Sequence, residues 1–140
     1  MTSREIVLVQ ESFSKLAPIA DQAAALFFVR LFELDPSLRR CCQGEREQQG
    51  RGLVRLLASS IHRLARLERL QPALRRLGHR QAAHGTRDEH YAFSGAALLW
   101  TLEKALGPEF TPPVKAAWTQ FYVVLANAML DGAHRHELAA

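Results

Sequence analysis

The sequence has little cysteine, no long apolar run and none of the common catalytic loops. Its two cysteines are adjacent, at positions 41 and 42, which excludes a disulfide framework. No stretch approaches the roughly 18 apolar residues of a membrane span, and the first residues lack the apolar core of a secretory signal. We therefore expect a cytoplasmic protein without a membrane span. A Gly-rich phosphate loop, a nucleophile elbow and a Cys-x-x-Cys pair are also missing, so no standard enzyme site is indicated.

Signals of β-structure are missing as well. Apolar residues do not alternate with period two, and no Asn-Gly hairpin turn occurs. They recur instead at intervals of three and four, which is typical of amphipathic helices. Thr2 and Glu5 have the spacing of a helix capping box. The pattern predicts a single all-α domain of six to eight helices, with a helical core over 4–132 that ends at Gly132 and a frayed tail over 133–140.

One predicted helix, over 72–84, carries an apolar stripe that ends in polar residues. Helical geometry places on one face the residues that are spaced by four, three, four and three, which are Leu70, Leu74, Leu77, Gln81 and His84. Pro72 is expected in the first turn of this helix. A polar pair at the end of a buried stripe either caps the core or faces a pocket.

Positive charge is concentrated in the middle of the chain. The net charge is +4, and residues 49–87 hold nine arginines but one acid, Glu68. Such a segment either forms a solvated face of two helices or binds an anionic partner. We favour the solvated face, because no aromatic residues interleave with the arginines to stack on bases. Nucleic acid is therefore not expected as a partner, although a basic surface that binds an anion stays open as a function class.

Several motifs, taken in order, resemble a known family. They are the segments 31–39, 49–51, 70–78 and 90–103. In this order and spacing the chain resembles bacterial single-domain haemoglobins, which are also found as the globin domain of flavohaemoglobins. The segment 106–112 is similar to neuroglobins. The resemblance covers about residues 4–132 and implies the globin fold.

The resemblance also implies a haem b cofactor between the helix that begins near Gln49 and the stripe helix. In the family a histidine of the stripe helix binds the iron. When the motifs are aligned, that proximal position falls on Gln81. Cys42 takes the place of the family's phenylalanine wedge, and the acidic partner of Tyr91 falls on Ala133. The chain therefore departs from the family at these positions, and also at Gly52, where relatives often carry a lysine near the carboxylates of haem.

His84 is the substitute iron ligand that the spacing favours, and the alternative is a plain histidine at the helix end. His79 lies about 200° round the helix from Gln81, so we expect it to point away. Gln49 falls where relatives hydrogen-bond oxygen. The full pocket is expected to be lined by Phe28, Phe32, Cys42, Gln49, Leu53, Leu74, Leu77, Gln81, Tyr91 and either Phe93 or Leu98.

Two main functions follow from the resemblance. The first is a haem protein with altered proximal ligation that binds a diatomic gas, oxygen or nitric oxide, and is not an ordinary oxygen carrier. The alternative is a haem-free globin fold that serves as a sensor or interaction module. We do not expect an enzyme with its own reductase domain. A nitric oxide dioxygenase or peroxidase-like side activity, and a separate reductase or signalling partner, stay open.

Overall fold

The computed structural model describes the chain as an assembly of helices. It covers residues 1–41, 46–83 and 87–139, and within these ranges the side chains at 40, 41, 46–49, 65, 67–70 and 135–139 are not described. This part of the chain contains no strand, which confirms the all-α prediction. Three short 3₁₀ turns, at 17–19, 64–66 and 107–109, connect longer elements. The α-helices are α1 (Ser3–Leu16), α2 (Ala20–Leu34), α3 (Leu38–Cys41), α4 (Arg46–His62), α5 (Leu67–Ala83), α6 (His90–Leu106) and α7 (Pro112–Ala139).

The ends of α1 and α6 follow from local chemistry. Thr2 accepts a hydrogen bond from the backbone N–H of Glu5, and the Glu5 carboxylate accepts one from the backbone N–H of Thr2. This confirms the predicted capping box, which satisfies N–H groups that have no partner within the helix. Gly107 follows α6 with φ of +56°, a conformation in which a side chain would be strained. The helix therefore stops where the sequence predicts.

Most of the apolar core lies where α1, α2, α4, α6 and the first half of α7 meet. Trp118 of α7 is fully buried and packs edge-to-face on Phe121, with ring centroids 5.6 Å apart. Its indole N–H donates to the buried hydroxyl of Ser12 at 2.8 Å, so the polar atom of this large side chain has a partner. We call this assembly the first cluster.

A smaller second cluster joins α5 to the end of α7. Its buried members are Leu74 of α5 and Leu125, Ala128 and Met129 of α7. Tyr122 is partly buried and packs against both clusters. The second cluster is what attaches α5 to the rest of the molecule, because the described part of α5 packs mainly on α7.

The crossing of α5 and α7 depends on two glycines. A Cβ atom added at Gly78 would collide with the backbone of Met129, and one added at Gly132 would collide with the backbone of Arg75. The predicted end of the last helix at Gly132 is therefore wrong, since α7 continues to Ala139. Gly132 acts as a site of close backbone approach between two helices, not as a terminator. The tail predicted to fray begins within this helix.

The stripe helix also begins earlier than predicted. Pro72 lies inside α5, which starts at Leu67, and not in its first turn. Proline lacks the N–H that would bond to the carbonyl four residues earlier. The preceding 3₁₀ turn over Leu64–Arg66 leads directly into this segment, so the chain is already helical when it reaches the proline.

None of the helices in the described ranges is long and apolar enough to cross a membrane.

Candidate functional site

The predicted pocket residues that the structure describes are divided between the two clusters. α4 packs mainly on α2, whereas α5 packs on α7. α4 nevertheless contributes Leu53 to the first cluster and Leu56 to the second. On the side of the first cluster lie Phe28, Phe32, Leu53, Phe93 and Leu98, and on the side of the second lie Leu74, Leu77 and Tyr91.

The predicted pocket residues of the first cluster include two aromatic side chains that lie close together. Phe28 and Phe32 are 8% and 6% exposed, and their ring centroids are 6.1 Å apart. The guanidinium of Arg39 lies 5.7 Å from the centroid of the Phe32 ring, a distance typical of a cation–π contact. Leu53 and Leu98 also line a cavity of about 30 Å³ between α1, α2, α4 and α6, which is room for about one water molecule.

Gln81 lies next to two hydrogen bonds that involve Tyr91 and connect α5, α6 and α7. Its side chain is partly buried, and its Oε1 accepts a hydrogen bond of 3.3 Å from the hydroxyl of Tyr91. The backbone carbonyl of Tyr91 in turn accepts one of 2.5 Å from the hydroxyl of Tyr122. The side chain of Gln81 is therefore directed towards α6 and not into bulk solvent. Its assignment as the family's proximal position stays a prediction.

Both tyrosines of this chain remain protonated at neutral pH. Burial, with a smaller contribution from the negative charge of Asp88, raises the pKa of Tyr91 to about 12. Burial likewise raises the pKa of Tyr122 above its usual value. The hydroxyl of Tyr91 is thus a permanent donor, and it holds the amide oxygen of Gln81.

The side chains of three predicted site residues lie outside the part of the chain that the structure describes. Cys42 and His84 lie outside the described residues, and so does the side chain of Gln49, whose backbone is in α4. The roles of these three residues stay predictions. Ala133, where the family's acid would fall, is 6% exposed. Its methyl group offers no hydrogen bond to Tyr91.

The sequence analysis missed a buried histidine beside an aspartate. His90 is 3% exposed at the start of α6, and its Nδ1 accepts the backbone N–H of Arg87 at 3.0 Å. Its Nε2, which then carries the proton, lies 3.6 Å from a carboxylate oxygen of Asp35. Hydrogen bonds from Ser37 hold the pKa of Asp35 below its usual value. In the sequence, Asp35-Pro36-Ser37 indicates only the end of a helix, because no local signal points to His90, which is 55 residues further along the chain.

A second histidine–aspartate pair lies at the same corner but on the surface. His134 Nε2 of α7 is 2.7 Å from a carboxylate oxygen of Asp88, and both side chains are more than half exposed. His90 thus connects the start of α6 to the end of α2, and Asp88, just before α6, is connected to α7. No group of three metal-ligating side chains occurs among the described residues.

His79 is exposed on α5, as the helical spacing predicts. It lines a groove with Arg75, Arg76 and Arg80. Arg75 makes an ion pair of 2.7 Å with Asp131 of α7. Part of the predicted basic face is thus exposed, and part of it is engaged with the neighbouring helix.

Comparison with known proteins places this arrangement in context. A protein-family model described as Globin matches residues 25–129. The chain is 28% identical over 134 residues to a flavohemoprotein of Vibrio cholerae, covering 94% of this chain and 34% of that protein. It is 26% identical over 146 residues to neuroglobin of Danio rerio, covering 94% of this chain and 92% of the relative. The chain therefore spans about a third of the length of the flavohemoprotein and nearly the whole of the neuroglobin.

A solved structure has the same fold. A bacterial globin from Campylobacter jejuni superimposes with a TM-score of 0.85 at 19% identity, covering 96% of this chain and 97% of that one. At this identity the similarity establishes the path of the helices and not the chemistry of the site.

Proposed function

The chain belongs to the globin family, and on this premise we propose that the boundary between its two clusters binds haem b without an imidazole bond from residue 81. The bound group would take a diatomic ligand, oxygen or nitric oxide. The observation that carries the proposal is the position of Gln81. Its side chain points inward to Tyr91, and the family resemblance puts the iron ligand at this position.

The apolar residues have the chemistry that packs a haem ring. Phe28, Phe32 and Leu53 of the first cluster, and Leu74 and Leu77 of the second, are the apolar side chains that a flat and largely apolar group would contact between the clusters. Burial of such a group is favourable in proportion to the apolar area that leaves water. Most of the surface of a bound cofactor is covered by contacts of this kind. These five residues would therefore hold the ring by packing.

The side chain of Gln81 does not fit the role of an iron ligand. A carboxamide has one acceptor oxygen and an NH₂ group that only donates. The oxygen has two lone pairs, and one of them accepts the hydroxyl hydrogen of Tyr91, which directs the oxygen towards α6. A neutral carboxamide oxygen is also a poor ligand for haem iron compared with an imidazole nitrogen. His84 stays the candidate substitute.

When bound, haem supplies an iron centre for the gas ligand, and the protein supplies binding and polarity. By the family resemblance, Gln49 would donate a hydrogen bond on the distal side, and Phe28 would keep that side apolar. Tyr91 keeps its proton and orients Gln81. Electrons for any redox side activity would come from a separate reductase. An ordinary oxygen carrier is not proposed, because glutamine stands at the position where the resemblance puts the proximal ligand.

Titration of the purified protein with hemin tests this function. We expect wild-type protein to take up hemin but to lose it to excess apomyoglobin at least about tenfold faster than the Gln81→His variant. If His84 does not bind the iron, wild type should also lack the five-coordinate ferrous spectrum of an imidazole-ligated globin. Gln81→His should restore this spectrum, since it returns a nitrogen to the family's position. Gln71→His is the matched control, because it makes the same exchange on the same helix about 15 Å away, and it should change nothing.

Two outcomes would contradict the proposal. An imidazole-ligated spectrum in wild type that survives both His84→Ala and His79→Ala would show that the ligand has been assigned wrongly. A Gln81→His variant that takes up no hemin would show that the boundary between the clusters is closed. That result would favour the haem-free sensor or interaction module, which the hydrogen-bonded carboxamide at position 81 also permits.

A further inference from the structure

The outer face of α5 forms a basic groove with α7. The groove has a volume of about 580 Å³, and among the described residues it is lined by Arg75, Arg76, His79, Arg80 and Gly132. It is distinct from the proposed haem site, because none of its described lining residues is among those proposed to contact haem. A binding function for this groove is therefore independent of the function proposed above.

Helical spacing brings basic side chains together in this groove. Arg75 and His79 are four residues apart, as are Arg76 and Arg80, so each pair is adjacent on the helix surface. Arg75 makes an ion pair with Asp131. The described lining residues themselves contain three guanidinium groups and no acid.

The close crossing of the helices shapes the groove. At Gly132 the backbone of α7 lies directly against the backbone of Arg75, because glycine has no Cβ atom in the way. Gly132 and Arg75 both line the groove. The volume lies in the range of pockets that take small molecules, about 300–1,000 Å³.

We propose that this groove binds a small molecule that carries two or more linked phosphates. The planar guanidinium group of arginine forms paired hydrogen bonds with phosphate oxygens. The α-carbons of Arg76 and Arg80 are about 6 Å apart along the helix, so each arginine contacts a different phosphate of the chain. A single phosphate engages one of them and gains less. The ion pair of Arg75 with Asp131 stays intact and holds the Arg75 side chain in place beside the bound molecule.

Calorimetric titration with sodium tripolyphosphate tests the site, at constant ionic strength and without hemin. Inorganic phosphate is the single-phosphate comparison. We expect saturable binding of one tripolyphosphate, at least about tenfold tighter than phosphate. Arg76→Gln and Arg80→Gln should each weaken it at least about fivefold. Arg55→Gln is the matched control: it removes the same charge from an exposed position of α4 and should leave binding within about twofold.

Three results would overturn the proposal. One is the lack of saturable tripolyphosphate binding. Another is an Arg55→Gln variant that loses as much affinity as Arg76→Gln, since this would show a response to net charge alone. The third is a single-stranded oligonucleotide that binds more tightly than tripolyphosphate and displaces it, which would identify the face as a nucleic-acid surface. Circular dichroism of each variant verifies that loss of binding is not loss of fold. None of these results depends on haem uptake.

Discussion

Replacing Gly132 by alanine should destabilise the protein through the crossing of α5 and α7. The new methyl group would collide with the carbonyl group of Arg75, and the backbone atoms there belong to a helix that cannot move one residue alone. To restore ordinary contact, the two helices must separate by at least about 1 Å. This separation would also loosen the second cluster, in which Leu74 packs on Met129.

Two opposing effects set the size of the loss. Extra atoms in a well-packed contact typically cost about 1–3 kcal/mol, and more where backbone must move. Alanine is favoured over glycine inside a helix by up to about 1 kcal/mol. Because the clash at Gly132 is with backbone, we expect a net loss of about 2 kcal/mol in the free energy of unfolding. For a chain of this length that corresponds to a fall in Tm of about 4–8 °C.

Gly52 provides the matched control. It also lies inside a helix, but a Cβ added there meets no atom within 4 Å. Gly52→Ala should therefore show the helix preference alone and raise stability by about 0.5–1 kcal/mol. Urea unfolding followed by far-ultraviolet circular dichroism measures both variants. A Gly132→Ala variant as stable as Gly52→Ala would refute the close approach of the two helices.

Three further predictions concern the candidate site. If His84 has taken over as iron ligand, His84→Ala should release bound hemin and His79→Ala should not, which the absorbance of the hemin complex measures. Tyr91→Phe removes the donor to Gln81 and should cost about 0.5–1.5 kcal/mol in urea unfolding, the value of one hydrogen bond. The pKa of Asp35 is lowered from 3.8 in the folded protein, so its carboxylate stabilises the fold above that value and stops doing so as the pH falls through the folded pKa. The stability advantage of wild type over Asp35→Asn should therefore shrink on acidification below about pH 4, and an advantage that grows there would contradict the sign.

The helices could be predicted from the sequence because their signals are local. The capping box at Thr2 and Glu5 and the stop at Gly107 each involve residues that are close in sequence, and the structure has them as predicted. The end of the last helix was mispredicted at Gly132 for the opposite reason. A glycine that ends a helix and a glycine that lets two helices touch look alike in one sequence. The partner that distinguishes them, Arg75, is 57 residues away.

The candidate site could be predicted only in part, for a similar reason. The apolar stripe of α5 and the inward position of Gln81 follow from helical spacing. The hydrogen bond from Tyr91 crosses between two helices, and the pairing of His90 with Asp35 joins the start of one helix to the end of another. Such contacts depend on how the helices are arranged. The family resemblance gives that arrangement, but it does not say which polar groups meet where this chain departs from the family.

The position of α5 does not depend on the residue at 81. The helix is held to α7 by the crossing at Gly78 and Gly132, by the packing of Leu74, and by the ion pair of Arg75 with Asp131. All of these contacts lie on turns before Gln81, and a glutamine there still finds a hydrogen-bond partner in Tyr91. A change of the side chain at residue 81 therefore removes none of these contacts, and the globin architecture can persist while the chemistry at this one position changes. For this reason the similarity of the fold to a bacterial globin cannot decide the ligation, whereas the exchange of one side chain at residue 81 can.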